Sequence, residues 1–194
     1  MSWETRVKSA LAAHYFFTEK GDLSQAQFLQ TLQQCFERGY LFFRFRSEGF
    51  DPKTYAKWAP EVATLARAHQ ACMMVDTVAV LEDAQAQGLH ATQALLLSYD
   101  NRPISTDYLF AGSVHDLHTC AWANHVQTDL MTLSPVKATP SHPNVIPMGW
   151  ERFQSIAQHA ACPVYALGGL TPEDLPIAQQ HGAHGIAAIR GVWG

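Results

Sequence analysis

The sequence predicts an α/β protein of the closed (β/α)8, TIM-barrel type. Three observations carry that prediction. Short apolar runs of strand length alternate with helical patterns along the whole chain. The strand runs number eight, and no linker or low-complexity stretch interrupts them. Such alternation gives a parallel sheet covered by helices, and eight units favour closure over an open sheet. The 194 residues, 47% of them hydrophobic, suit one domain over 1–194 with a full core.

Each element has its own signal. His14-Tyr-Phe-Phe-Thr18 reads as a short strand, and Leu23 to Arg38 as a helix with Phe28, Leu29, Leu32 and Phe36 at helical spacing, stopped by Gly39. Tyr40 to Arg46 is the next strand. Its last positions alternate, so Arg44 and Arg46 fall on the face opposite Phe43 and Phe45. Pro52 to His69 is a helix with Tyr55, Trp58, Val62 and Leu65 on one stripe, and Ala71 to Asp76 is a strand ending in a carboxylate. Val78 to Gln87 reads as a helix, Gly88 to His90 as a very short strand, and Thr92 to Tyr99 as a helix. After the turn at Asn101-Arg-Pro103, Tyr108 to His115 is strand five, followed by a helix from Leu117 to Val126 and a strand from Leu130 to Val136. A proline-rich loop from Lys137 to Pro147 leads into a helix over Gly149 to Ala160.

The closing stretch organises the rest. Val164 to Leu167 is an uncharged apolar run that suits a strand buried on both faces. Gly168-Gly169 allows a turn in which backbone approaches whatever sits above the strand, and Thr171, Pro172 and Asp174 make a capping-box start. Gly182 ends that helix, and Ile186 to Ile189 is the last strand. Two adjacent strand ends with glycines and spare N–H groups form a seat for a phosphate, although glycine pairs also serve as plain tight turns. In a barrel, strand ends share one mouth. It would hold Thr18, Arg44, Arg46, Asp76, His90, Ser113, His115, Ser134, Thr139, Gly168, Gly169, Arg190 and Gly191, a set cationic at several points and suited to a small phosphorylated substrate.

Composition removes other classes. A net charge of −4 gives no basic face for nucleic acid. Cys35, Cys72, Cys120 and Cys162 form no C-x-x-C pair, so neither a zinc knuckle nor a disulfide framework is indicated. Ten histidines show no H-E-x-x-H or similar spacing. No leader pattern and no run of roughly 18 apolar residues is present, which points to the cytoplasm and away from a membrane.

With its strand ends in line, the chain resembles the thiamine phosphate synthase superfamily, which includes thiazole tautomerases. The matching pieces are Tyr15-Phe-Phe-Thr18, the Arg46 strand end, Gly88-Leu-His90, Gly112-Ser-Val-His115, Leu133-Ser-Pro-Val136 with Thr139 and Ser141-His-Pro143, Pro147-Met-Gly-Trp150, Pro163 to Gly169, and Gly185-Ile-Ala-Ala-Ile189. The likeness is greatest to the synthase-like domain found fused behind Nudix hydrolases, which implies a possible Nudix hydrolase partner beside a possible homodimer. The resemblance implies a barrel that joins an aminopyrimidine pyrophosphate to a thiazole phosphate, with Mg2+ on the pyrophosphate if synthase activity is retained and no cofactor otherwise. It further implies that Arg46, with Arg44 on the same face, touches pyrophosphate. Thr139 and Ser141 would serve a phosphate loop, and Gly168, Gly169, Ile189, Arg190 and Gly191 would hold the thiazole phosphate.

The chain departs from the family pattern at informative places. The family's Gln-x-Arg-x-Lys reads Arg44-Phe-Arg46-Ser-Glu48, which turns a cation into an anion. Its two metal-binding aspartates fall on Thr77 and Leu95, and leucine offers Mg2+ no oxygen. The lysine after Thr139-x-Ser141 becomes His142, the last phosphate-strand serine becomes Arg190, and the tautomerase's acid/base histidine becomes Pro135.

Several residues keep two readings. His115 is the acid/base candidate because histidine titrates near neutral pH, and the alternative is a histidine that holds Ser113 or a loop carbonyl. Arg46 is expected to contact ligand and is placed with His115 in the catalytic set. Arg44 either joins it or pairs with Glu48 or Asp76. Asp76 is an acid or base, the one weak metal candidate, or an arginine's structural partner. His90 reads as a satisfied core histidine, and Trp150 and Trp193 as packing residues.

Overall fold

The computed structural model describes residues 11–139 and 144–193. Eight parallel strands close into one barrel in sequence order: β1 His14–Phe17, β2 Phe42–Arg44, β3 Cys72–Val75, β4 Gly88–Ala91, β5 Leu109–Val114, β6 Leu130–Leu133, β7 Val164–Ala166 and β8 Gly185–Ala188. Between them run α1 Gln25–Glu37, α2 Pro52–Ala68, α3 Val78–Asp83, α4 Gln93–Leu97, α5 Leu117–His125, α6 Gly149–Ala157 and α7 Leu175–Gln180, and α8 Arg190–Trp193 follows β8. The seam closes by pairing His14 with Ile186 and Phe16 with Ala188. Among the described residues no helix is long and apolar enough to cross a membrane.

Side chains of alternating hand on each strand make two cores. Outside the sheet, Phe16, Phe43, Phe45, Phe28, Trp58 and Phe110 pack with the helices. Inside, Tyr15, Phe42, Met74, Leu109, Leu130 and Tyr165 fill the barrel, with Tyr15 stacked on Phe42 at a centroid distance of 4.2 Å. This is the alternation read from β2: the phenylalanines at 43 and 45 face the helices, and the arginines at 44 and 46 line the mouth.

Three local differences from the sequence reading have identifiable causes. The helix expected to run to Gln87 stops at Asp83 because Gln85 takes the left-handed conformation, φ 53°, a role normally signalled by glycine. The segment after Thr171 keeps its capping bond, Thr171 N–H to Asp174 Oδ2 at 3.0 Å, but starts as a 3-10 turn over Pro172–Asp174 before α7. Pro176 has no N–H to return to Pro172, so the first turn tightens. Arg190, expected at the end of a strand, is the first residue of α8. The expected packing roles of Trp150 and Trp193 hold, both lying against the outer core.

Candidate active site

The carboxyl ends of the strands surround a cavity of about 690 Å³. It brings together Arg44, Arg46, Asp76, Ser113, His115, Ser134, Thr139, Gly168, Gly169, Ile189, Arg190 and Gly191, and adds Ser47, Gln93 and Thr171, whereas Thr18 and His90, also expected there, are fully buried and do not line it. Ser141 lies outside the described residues, as do His142 and Pro143.

Arg44 and Asp76 form the best ordered part of the mouth. Arg44 Nε donates to Asp76 Oδ1 at 2.6 Å, and both residues are buried, at 5% and 7% exposure. The other carboxylate oxygen accepts from the Ser47 N–H and the Ser47 hydroxyl, each at 2.8 Å. Burial opposes the charge on Arg44, and the charge and hydrogen bond of Asp76 outweigh it, so the net pKa is raised. Tyr55 fixes the geometry from α2: its hydroxyl donates to Phe45 O at 2.7 Å and accepts from Asp76 N–H at 3.0 Å. Asp76 is therefore an arginine's partner. The sequence had offered Tyr55 only as part of a packing stripe, and Ser47 carried no signal at all.

Arg46 lies beyond the β2 strand end, where its backbone N–H donates to Thr18 Oγ1 at 3.1 Å. Its guanidinium meets Glu48 at 3.3 Å and Glu19 at 3.6 Å, and Arg190 approaches the same Glu19 at 3.9 Å. Burial lowers the pKa of Arg46 despite both carboxylates, yet an arginine so shifted still keeps its proton. Arg46 Nε is buried and has no hydrogen-bond acceptor among the described residues. A buried donor of this kind can serve an acceptor.

The glycine turn packs directly against the loop after β6. Gly168 and Gly169 have φ of 100° and 66°, and a Cβ would fall 2.7 Å from Pro135 Cα at the first and 2.3 Å from Ala138 O at the second. Lys137 N–H donates to Gly168 O at 3.0 Å. Close packing alone requires glycine here, so the pair forms a tight turn whether or not it also holds a phosphate.

His115 in the mouth and His90 beneath Ser113 differ. His115 Nδ1 lies 2.7 Å from the Ser134 carbonyl and 3.2 Å from Ser134 Oγ. A carbonyl only accepts, so Nδ1 carries the proton of the neutral ring and Nε2 keeps its lone pair. The alternative reading, a histidine held by a loop carbonyl, thus holds for Nδ1, and Nε2 has no hydrogen-bond partner among the described residues. His90 is fully buried, as read from the sequence, and sits between Tyr15 Oη at 2.8 Å and Ser113 Oγ at 2.9 Å.

Mg2+ does not fit these residues. It needs several hard oxygen donors in octahedral array. Both oxygens of Asp76 are committed to Arg44 and Ser47. Thr77 caps α3 by accepting from Val80 N–H, and Leu95 packs against the outer core. Among the described residues no three His, Cys, Asp or Glu side chains cluster to hold a metal.

A closed (β/α)8 barrel with an arginine-rich cavity at the carboxyl ends of its strands defines the class. The sequence pattern of the family described as TMP-TENI, thiamine monophosphate synthase, matches residues 14–192. The chain belongs to this thiamine monophosphate synthase family. It is 28% identical over 163 residues to a putative thiamine-phosphate synthase 2 of Aquifex aeolicus, covering 84% of this chain and 88% of the relative. A thiamine-phosphate synthase of Prochlorococcus marinus is 26% identical over 174 residues, 89% of this chain and 49% of that protein. The chain thus spans about half the length of that relative. Among solved structures, thiamine phosphate pyrophosphorylase from Pyrococcus furiosus superposes with a TM-score of 0.76 at 20% identity, over 93% of this chain and 87% of that one. The N-acetylmannosamine-6-phosphate 2-epimerase of Clostridium perfringens does so at 0.69 and 11%, over 96% and 90%. These two likenesses speak to the fold.

Proposed function

We propose that the mouth takes a thiazole phosphate against Gly168, Gly169, Ile189, Arg190 and Gly191, takes an aminopyrimidine pyrophosphate against Arg44 and Arg46, and joins the two rings. The observation that carries this reading is a single cavity containing both the glycine turn and the arginine pair. Joining the rings breaks the carbon–oxygen bond to pyrophosphate, and the leaving group takes the electron pair with it. Guanidinium groups take up that polyanion without a metal, the anion displacing Glu48 and Glu19 from Arg46. Arg46 supplies the unpaired Nε–H, while Arg44, held by Asp76, supplies fixed charge. His115 presents Nε2 as acceptor or base, and Thr139 and Ser141 belong to the phosphate loop. The same reading takes 1–194 as one cytoplasmic domain, with a second copy or a Nudix hydrolase as its possible protein partners.

The test is to incubate the protein with both compounds, once with Mg2+ and once with EDTA, and follow thiamine phosphate and pyrophosphate. Equal product in both buffers is expected. Product only with Mg2+ overturns the metal-free route, and no product in either overturns the joining reaction. A second reading, ligand binding without turnover, is favoured by Glu48, whose carboxylate occupies Arg46 at 3.3 Å. Calorimetry with thiazole phosphate separates it: binding without product supports this second reading.

A further inference from the structure

One hydrogen-bonded line in the barrel interior has no part in the chemistry above. Tyr15 on β1 meets His90 on β4 across the barrel, and Ser113 lies on the adjacent β5. Tyr15 Oη is 2.8 Å from His90 Nδ1, and His90 Nε2 is 2.9 Å from Ser113 Oγ. Tyr15 and His90 are buried, whereas Ser113 lines the cavity. The line therefore ends where ligand would bind.

Proton counting gives it a direction. Burial, and then the charge of Arg44, hold the His90 pKa well below that of free histidine, so the ring is neutral and carries one N–H. Burial raises the Tyr15 phenol well above its usual range, so it keeps its proton. His90 Nδ1 is the sole acceptor for that proton among the described residues. If Nδ1 carried the imidazole proton instead, the phenolic proton would be buried without an acceptor, which folded proteins avoid. The phenol thus donates to Nδ1, and the single imidazole proton sits on Nε2 and donates to Ser113 Oγ. Thr132 Oγ1 adds a long contact to the same oxygen at 3.5 Å. With its oxygen accepting from the wall, Ser113 has its own proton left for the cavity.

We propose that Tyr15, acting through His90, is a positioning residue that sets Ser113 as a hydrogen-bond donor into the mouth, so that the ligand presents an acceptor at β5. The acceptor is a lone pair on a ring nitrogen or on a phosphate oxygen. A ligand with an N–H or O–H at that point meets another donor and is rejected. This rests on the preceding reading of the mouth as the ligand site.

The direction of the line is tested without ligand. Long-range proton–nitrogen NMR distinguishes the protonated from the bare imidazole nitrogen, and His90 is expected to be protonated on Nε2. Protonation on Nδ1 overturns the proposal. Tyr15→Phe keeps the stacking on Phe42 and removes only the hydroxyl, so the melting temperature serves as the check on folding. In the folded variant the His90 nitrogen shifts move towards a mixture of tautomers. Affinity for inorganic pyrophosphate and for the aminopyrimidine pyrophosphate is then measured on wild type, Tyr15→Phe, Ser113→Ala and the double variant. A loss of up to about tenfold is expected in each single variant, the worth of one neutral hydrogen bond, with little further loss in the double variant. Loss for both probes assigns the acceptor to a phosphate oxygen, and loss for the aminopyrimidine compound alone assigns it to the ring. Wild-type binding that Tyr15→Phe leaves unchanged overturns the proposal. If wild type binds neither probe, the ligand reading fails, and the His90 measurement decides the proton direction by itself.

Discussion

Asp76→Asn separates the two roles an acidic residue at this strand end can have. In the structure the carboxylate faces Arg44 at 2.6 Å, and the two residues are 7% and 5% exposed. Removing its charge leaves a guanidinium without its carboxylate at a position of low exposure. Breaking a buried pair from one side costs about 3–5 kcal/mol. Asparagine can still accept one bond from Ser47, which places the expectation near the lower end. At about 2–4 °C per kcal/mol for a domain of this size, the melting temperature falls by roughly 6–20 °C. Arg44→Met with Asp76→Leu removes both charges and should recover most of the loss, because apolar replacement of a whole buried pair is often neutral. The assay is urea unfolding and calorimetric melting with and without Mg2+. If Asp76→Asn changes stability by less than about 0.5 kcal/mol, the range of an ordinary surface substitution, and Mg2+ stabilises wild type but not the variant, then Asp76 is a metal ligand and the ion-pair argument is wrong.

Two further outcomes follow from the same geometry. Gly169→Ala introduces a Cβ 2.3 Å from Ala138 O at φ 66°, whereas Gly39→Ala has φ 88° and open space around it. Both should lose about 1–2 kcal/mol from the left-handed backbone, and Gly169→Ala should lose more by urea midpoint; equal losses would contradict the close packing described for the turn. Stability should also fall with acid because of His90, whose folded pKa is depressed by burial and by Arg44. The unfolded chain takes up the proton first, near pH 6.5, so stability is whole above that pH and declines below it by up to about 1.4 kcal/mol per pH unit. His14, also depressed by burial, adds to the same trend. Urea midpoints between about pH 7 and pH 5 measure this slope, and His90→Gln should flatten it; an unchanged slope would mean that the histidine is not buried neutral.

Much of this molecule is legible in one dimension. The period-two pattern at Phe43, Arg44, Phe45 and Arg46 is enough to send two arginines to the mouth, and the apolar run before Gly168 marks the strand under the glycine turn. Contacts that depend on closure are not legible. The sequence leaves Arg44 with Glu48 or Asp76 as a partner, and the parallel register that sets Arg44 beside Met74 selects Asp76. The line through Tyr15, His90 and Ser113 spans β1, β4 and β5, so no residue alone reveals its partners. Glu19 carries no signal because its importance arises from Arg46 and Arg190, which reach it from beyond the end of β2 and from the start of α8. α8 was invisible for another reason: four residues containing a glycine show no helical period.

The barrel seam has a consequence for assembly. β1 and β8 are the most distant strands in sequence, yet they are neighbours, and the segment before β1 is held by His184 Nε2, next to β8, at 2.9 Å from Leu11 O and by Tyr165 Oη of β7 at 2.7 Å from Ala12 O. Pairing them closes the largest loop in the chain, which makes the seam a late, slow contact during folding. Glu19 stands on one side of that seam and Arg190 on the other. Partly folded chains therefore lack the Arg190–Glu19 contact, which forms only when the last strand docks.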